Sequence, residues 1–406
     1  MGERTDMKEF DPKGFVEKQV EEVKKAIGNE RALVAVSGGV DSTACAVLTH
    51  LAIGDNLSCV TLDDGFRREE EPERVADLLS SPPLNLPVKI LRVQRRFLDA
   101  QKVLKDAEEK RKAFRDSFYK TLSEAARDER SRYLVQGTIL ADIIETRGGI
   151  KTQHNVLEQI GINTSEQYGF KVVEPLVSLY KDNVRKVARY LKVPPEISER
   201  QPFPGPGLLV RVVGEVRIDK LRTLKKATAV TEEKLSEYKP DQYFAAIIDN
   251  RERDNPQVLS NIKNAVAKFL GIEQRNVSAK ILRDKATGIR EGTRQYGDIL
   301  VLECRRSGNV FCQPSMVDLT ALQNLIISSN PSITRVLYAI SSGIEKKPYI
   351  IAVRAVKTRD FMTAEVADVP WSTLNKTAHR ILEDCSNVSG TYYDLTPKPP
   401  ATIELE

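Results

Sequence analysis

Short apolar runs alternate with amphipathic stretches through the first half of the chain. Phe15, Val16, Val20, Val23 and Ile27 recur on one helical face, which predicts a helix over 13–27. ALVAV at 32–36 is apolar at every position, the pattern of a strand covered on both faces. TACAVLTHLAI then reads as helix, SCVTL (58–62) as strand, EPERVADLL as helix and VKILRV (88–93) as strand. A charged helical region over 96–129, a strand RYLVQG (132–137) and a helix ADIIET follow. This alternation predicts an α/β fold, a parallel sheet with helices on both faces, over residues 1–200. An α+β domain is expected over 201–406, and its pattern repeats. GDILVLEC (297–304), VDLTALQNLIISSN (317–330) and ITRVLYAI (333–340) read strand, helix, strand. YIIAVRAV (349–356), WSTLNKTAHRILEDCSN (371–387) and GTYYDL (390–395) read the same way, giving units of about 285–345 and 346–406.

Ligands of open parallel sheets bind at the carboxyl ends of the strands. Three of those ends carry polar or glycine-rich sequence: SGGVDS (37–42), DDGFRR and QGTILAD. Two glycines between strand and helix allow a tight turn whose N–H groups point outward, and the helix adds its positive end. Ser37 and Ser42 contribute hydroxyls, so the loop suits phosphate. It lacks the lysine of a kinase-type phosphate loop, and so the usual device for moving a γ-phosphoryl group. Asp142 and Glu145, three apart on one helical face, would suit Mg²⁺ beside a triphosphate. Lys181 and Arg185 share a face of a later helix. PFPGPG at 202–207 admits neither helix nor central strand and reads as a stiff binding loop.

Composition narrows the classes. The net charge is +5, and no dense basic block carries interleaved aromatics, so no nucleic-acid partner is expected. The stretch EEKRKAFR (108–115) mixes both signs and reads as a solvated helix face. Five scattered cysteines (45, 59, 304, 312, 385) and three distant histidines predict neither a disulfide framework nor a zinc cage. Cys45 and Cys59 read as buried residues. No signal peptide or membrane span is expected, and the chain reads as cytoplasmic.

SGGVDS resembles the pyrophosphate loop of the N-type ATP pyrophosphatases, whose fold is adenine-nucleotide α-hydrolase-like. The resemblance implies a loop that holds the β,γ-phosphates of ATP and leaves the α-phosphorus open to attack. The products are an adenylated substrate and pyrophosphate. It implies ATP contacts at Ser37, Gly38, Gly39, Val40, Asp41, Ser42, Leu62, Arg68 and Gly137. Asp41, Asp142 and Lys181 would take catalytic roles, and Asp142 and Glu145 would hold Mg²⁺.

QPFPGPGLLVRVVGEV is similar to the signature that follows the ATP domain in the GMP synthetase family. IKTQHNV (150–156) resembles the substrate lid of that family, DFMTA (360–364) its dimerisation domain, and KPPATIELE (398–406) its substrate-binding tail. The match runs in order over nearly the whole chain. It implies that ATP adenylates O2 of the xanthine ring of XMP and that ammonia then displaces AMP to give GMP. XMP contacts would fall on Lys151, His154, Asn155, Pro204, Gly205, Pro206, Gly207, Arg294, Lys398, Thr402, Ile403 and Glu404.

The phosphate loop begins at residue 37, and no cysteine sits in a G-x-C-x-G elbow, so ammonia is expected from solution or from a separate glutaminase subunit. Short members of the family dimerise through one C-terminal unit. Two units here suggest that the second replaces a dimer partner, leaving a monomer or a homodimer as the alternatives. Several positions depart from the family pattern. The lid reads Gln153-His154-Asn155-Val156-Leu157-Glu158 where His-His-Asn-Val-Gly-Gly is usual, Gln201 stands where histidine is common, GIREGTRQY replaces Gly-Val-Gln-Gly-Asp-x-Arg-x-Tyr, and Leu405 replaces an aromatic. These changes touch the XMP side more than the ATP side. They leave two rivals open: a related adenylating synthetase for another nucleotide, and a nucleotide-binding paralogue without turnover. Nucleotide-dependent pyrophosphate release separates the second from an enzyme.

Overall fold

The computed structural model describes residues 10–147, 163–306, 310–343, 345–358 and 362–406, without the side chains of 145–147. The chain forms two compact units, Met1–Ala100 with Phe114–Gly205, and Gln101–Ala113 with Pro206–Glu406. Relative to the expected division at 200, the second unit starts at Pro206 and also takes a piece of the first half. The charged region expected as one helix over 96–129 is broken, because Val103 adopts φ +62° and Asp106 starts a new helix by accepting from the N–H groups of Glu108 and Glu109.

The first unit holds helices α1 (Pro12–Ile27), α2 (Val40–Ile53), α3 (Glu71–Ser80), α4 (Gln94–Ala100), most of α5 (Ala107–Asp128), α6 (Leu140–Arg147), α7 (Thr164–Tyr168), α8 (Lys181–Tyr190) and α9 (Pro195–Ser198). Its strands are β1 (Ala32–Ala35), β2 (Leu57–Asp63), β3 (Val88–Arg92), β4 (Tyr133–Val135) and β5 (Lys171–Val173). All pairings are parallel, in the order β3-β2-β1-β4-β5. The chain steps outward from β1 through β2 to β3 and then crosses back to β4. Right-handed crossovers therefore place α2 and α3 on one face and α5 on the other. Helices α1, α2 and α8 pack on one another around buried Val16, Val23, Ala44, Leu48, Val184 and Val187. The direction of travel reverses between β1 and β4, and such reversals open a ligand crevice at the strands' carboxyl ends.

The second unit contains α10 (Ile218–Leu235), β6 (Gln242–Asp249), β7 (Glu252–Arg253), α11 (Pro256–Leu270), β8 (Val277–Arg290), β9 (Thr293–Arg306), β10 (Val310–Phe311), α12 (Met316–Ser329), β11 (Ile333–Ser342), β12 (Tyr349–Lys357), β13 (Glu365–Val366), α13 (Trp371–Asp384) and β14 (Val388–Asp394). Strand β6 pairs with β12, and β7, two residues further on, pairs with β8 at the far side of the sheet. The sheet β12-β14-β11-β9-β8 therefore curls back on itself. Phe244, Ile248, Leu282, Ile299, Val301, Leu337, Ile350 and Tyr392 fill its interior.

The internal repeat is nested. Strand β9 runs parallel to β11, and β12 parallel to β14, while β11 and β14 meet antiparallel. The facing pair Tyr338–Tyr393 is flanked by Leu337–Asp394 and Ala339–Tyr392, which places a pseudo-two-fold axis there. Outside β9 lies antiparallel β8, preceded by α11; outside β12 lies antiparallel β6, preceded by α10. Each repeat is thus α-β-β-α-β, and the first sits between β6 and β12 of the second. The sequence blocks 285–345 and 346–406 catch only the later elements of each. Their opening strands lie upstream, and only cross-strand pairing joins them to the rest.

Among the described residues no helix is long and apolar enough to cross a membrane. All five cysteines are buried and unbridged. Burial pushes the Cys45 thiol up and the Cys59 thiol to about 12, so neither is a ready nucleophile.

Candidate functional site

The loop after β1 folds onto its own hydroxyls. Ser37 N–H donates to Ser42 Oγ at 3.2 Å, and Ser42 Oγ donates to the Gly39 carbonyl at 3.2 Å. Gly38 has φ +74°, and a Cβ there would lie 2.5 Å from Val75 Cγ2, so backbone strain and packing both demand glycine. Gly39 is the N-cap of α2 and offers no side-chain acceptor to the first turn. Those N–H groups, at the positive end of a fourteen-residue helix, form an anion cradle around Val40, Asp41 and Ser42.

The turn after β4 lies against this loop. A Cβ on Gly137 would come within 2.9 Å of Ser42 N and 3.0 Å of the Asp41 carbonyl carbon. Gly137→Ala is therefore expected to push the loop out of register and weaken anion binding there, read by calorimetric titration with pyrophosphate, with a modest fall in Tm.

Lys181, the first residue of α8, donates from Nζ to Asp41 Oδ2 at 2.5 Å, and Asp41 Oδ1 is buried without a hydrogen-bond partner among the described residues. The fold thus brings a lysine 140 residues away in sequence to a phosphate loop that carries none of its own. Asp142 lies in the first turn of α6, where Oδ2 accepts from Ile139 N–H at 3.0 Å. Glu145 lies on the same helix, but its side chain is outside the described residues, as are Lys151, His154 and Asn155 of the lid. Leu62 is buried near the end of β2.

Arg68 is engaged within the first unit. Its guanidinium donates to Glu71 at 3.0 Å and lies 4.0 Å above the Phe203 ring. Glu71 also takes Arg200. Burial alone would raise the Glu71 carboxyl, but Arg68 and Arg200 outweigh it and hold the group below the usual carboxylate range. Neighbouring Arg67 pairs with buried Asp64 at 2.7 Å and donates to the Gly205 carbonyl at 3.0 Å, so the loop holding Pro204 and Gly205 is tied to the end of β2. In the sequence Arg67 stood out only as part of the polar run DDGFRR, and Glu71 only as the start of the helical segment EPERVADLL.

Pro206 and Gly207 open the second unit, where Gly207, with φ +62°, starts a 3-10 turn ending at Arg211. Arg211 forks onto Glu404, with both bonds at 3.0 Å. Arg335 and Arg354, fully buried on β11 and β12, each donate to Asp394 Oδ2 at 2.8 Å. Their Nη2 groups hold the tail: Thr402 carbonyl oxygen at 2.7 and 3.0 Å, and Glu404 carbonyl oxygen at 2.6 Å. Ile403 packs on the barrel core. Lys398 lies in the same tail and pairs through its backbone with Ala364.

The stretch expected as a solvated face, 108–115, is one only in part: Glu108, Glu109 and Lys112 are exposed, but Lys110 is not. Lys110 is 1% exposed and donates to the carbonyls of Val212 and Gly214, at 2.7 and 2.9 Å, and to the Glu406 carboxylate. Its sequence neighbours gave no sign of this, because its acceptors lie a hundred and more residues away. Beside it Arg111 bonds the Glu406 carbonyl oxygen and faces Arg294, which holds Glu108 at 3.1 Å. Burial, then repulsion from Arg294, bring the Arg111 guanidinium down to about 10. The Nε groups of Arg111 and Arg294 are buried without hydrogen-bond partners among the described residues. Arg294 is presented by a tight hairpin in which Glu291 and Gly292 both take positive φ (50° and 73°).

Comparison with known proteins agrees with both halves of this architecture. Residues 12–194 match the PP-loop domain, and residues 343–405 match the GMP synthase C terminal domain. The chain is similar to the B subunit of the glutamine-hydrolyzing GMP synthase of Sulfurisphaera tokodaii, 42% identical over 98% of this chain and all of the relative. The proteins of that name from Methanopyrus kandleri and Archaeoglobus fulgidus are 38% and 37% identical, with the same coverage. Among solved structures, an NMN synthetase from Francisella tularensis aligns at 20% identity and a TM-score of 0.40, over 49% of this chain and 78% of its own.

Proposed function

The chain belongs to the family of GMP synthase B subunits, and on that premise we propose how its own residues carry out the family's reaction. The protein is an ATP-dependent ligase that aminates XMP to GMP by way of an adenylated intermediate, releasing AMP and pyrophosphate. The observation that carries the assignment of the ATP site is the loop at 37–42, with Lys181 at 2.5 Å from Asp41. The loop's N–H groups and the hydroxyls of Ser37 and Ser42 bind the β,γ-phosphates. Lys181, released from Asp41 as phosphate arrives, stabilises the charge that grows on the leaving pyrophosphate. Leu62 and Gly137 bound the nucleotide. Arg68, held by Glu71 and Phe203, contributes position rather than a free charge.

Mg²⁺ fits the residues present. Magnesium takes one or two carboxylates and completes its shell with phosphate oxygens and water, so a three-carboxylate cage is not required. The unpartnered buried oxygen of Asp41 and the carboxylate of Asp142 are the candidate holders, with Glu145 on the same helix as Asp142. The ion would offset pyrophosphate charge.

For XMP, the paired guanidiniums of Arg111 and Arg294 suit the 5′-phosphate, since each retains a buried Nε donor. The ordered tail at Lys398, Thr402, Ile403 and Glu404 supplies the wall beside them. Lys151, His154 and Asn155 remain the lid residues. Losing one charge-assisted donor costs about 1.5–3 kcal/mol. Arg111→Ala is therefore expected to raise the KM for XMP roughly tenfold or more, with the KM for ATP unchanged.

Ammonia reaches this chain from solution or from a separate glutaminase subunit. The relatives' name supports this reading, since it makes them one subunit of a glutamine-hydrolyzing synthase. The nested repeat supports a chain that supplies its own pseudo-dimer. Sedimentation is expected to give a monomer of 45.5 kDa, and a stable tight dimer would sink this reading.

The deciding experiment mixes purified protein with Mg-ATP, XMP and ammonium at mildly alkaline pH and assays GMP and pyrophosphate together. Both products are expected, and glutamine in place of ammonium should give no GMP until a glutaminase subunit is added. Bound ATP with neither product would overturn the assignment.

A further inference from the structure

The curled sheet of the second unit has two ends, which the pseudo-two-fold axis at Tyr338–Tyr393 exchanges. One end is filled by Arg335, Arg354, Asp394 and the tail. The other opens into a cavity of about 410 Å³ that no step proposed above uses. Its wall departs from the barrel's own pattern. Along β9 the inward positions Ile299 and Val301 are core, but the next two, Glu303 and Arg305, are charged and line the cavity. On β8 the inward neighbour of Leu282 is Lys280.

Most of these charges are paired. Glu303 accepts from the Tyr392 hydroxyl at 2.7 Å and from Ser342 Oγ at 3.1 Å, with Arg305 at 3.7 Å, and Lys346 pairs with Glu252 at 3.0 Å. Two groups of opposite sign are left. Lys280 Nζ donates to Asn250 Oδ1 at 2.7 Å and makes no close ion pair among the described residues; burial pulls its pKa down, against the attraction of the more distant Glu303 and Glu252 carboxylates. The Glu345 carboxylate, on the same cavity wall, also has no side-chain partner among the described residues. A half-buried ammonium with one amide acceptor has two donors left to pair. A simple anion entering the cavity would also meet Glu252, Glu303 and Glu345; a simple cation would meet Lys280, Arg305 and Lys346.

We propose that the open end of the barrel is a binding site for a small zwitterion of the α-amino-acid class, its carboxylate held by Lys280 and its ammonium by Glu345. The site is separate from the one assigned to XMP, and a binding readout tests it whatever reaction the protein catalyses.

The test is calorimetric titration of the full chain with L-alanine, L-glutamine and L-phenylalanine, and with acetate and ethylammonium as single-charge probes. At least one amino acid should bind, at least tenfold more tightly than either single-charge probe. Lys280→Met and Glu345→Gln should each weaken that binding at least tenfold, while ammonia-dependent GMP formation without amino acid stays at the unmodified rate. Glu345 is solvent-exposed, so its variant keeps the test valid if Lys280→Met fails to fold. No amino acid binding, equal binding by both variants, or acetate binding as tightly as the amino acid would each overturn the proposal.

Discussion

Replacing Lys181 by methionine is expected to lower the rate of XMP-dependent pyrophosphate release by about 10²–10³, the range seen when one preorganised charge-stabilising group is removed from an active site. The phosphate loop supplies N–H groups and hydroxyls but no side-chain cation, and Lys181 is the cation bonded to it. Its charge acts where phosphate charge develops in the transition state, so kcat should fall more than ATP binding weakens. The side chain is 31% exposed and its partner Asp41 27%, so the pair adds little to folding and Tm should hold within a few degrees. Lys181→Arg, which keeps the charge but not the geometry, should recover only part of the loss. An unchanged kcat in Lys181→Met with normal folding would remove Lys181 from the mechanism.

Asp394→Ala is expected to cost about 3–5 kcal/mol of stability, the usual penalty for leaving a buried charge without its partner. Two guanidiniums, of Arg335 and Arg354, converge at 2.8 Å on one carboxylate oxygen, and all three side chains are fully buried. Burial alone would raise the Asp394 carboxyl, but the two arginines outweigh it and hold the group below the usual carboxylate range. A carboxylate with a depressed folded pKa stabilises the fold at pH values above its unfolded pKa, and that contribution fades as pH falls through the folded value. The wild-type advantage over Asp394→Ala should therefore shrink in acid. The same arginines hold Thr402 and Glu404, so the variant should also raise the KM for XMP. Urea melts at neutral and acidic pH, with XMP kinetics in parallel, test both parts. A stability loss under about 1 kcal/mol at neutral pH would mean that the cluster contributes neither to the fold nor to ordering the tail.

Local patterns were legible wherever function depends on a short contiguous stretch. The apolar run at 32–36 followed by two glycines specified a strand, a turn and a helix start, because each follows from neighbours a few residues apart. Gly38 needs its positive φ for the same reason. The proline-rich loop at 202–207 was visible because its backbone is stiff, whereas the tail at 398–406 was legible only as a resemblance. The lid at 151–155 was legible only as a resemblance, and its structure lies outside the described residues.

Long-range closure was not legible. Nothing near Lys110 announces a buried ammonium, since its acceptors are Val212, Gly214 and Glu406. Lys181 reaches Asp41 only because α8 packs against α2. The repeat showed its final strand–helix–strand as a local pattern but hid its nesting, since β6 and β12 pair across an inserted repeat of about a hundred residues. The sequence by itself determined what each segment is, through the backbone and periodicity preferences of adjacent residues. Only the tertiary structure decided which charges are buried together and which segments share a sheet, because desolvation and strand pairing depend on partners that sequence distance does not reveal.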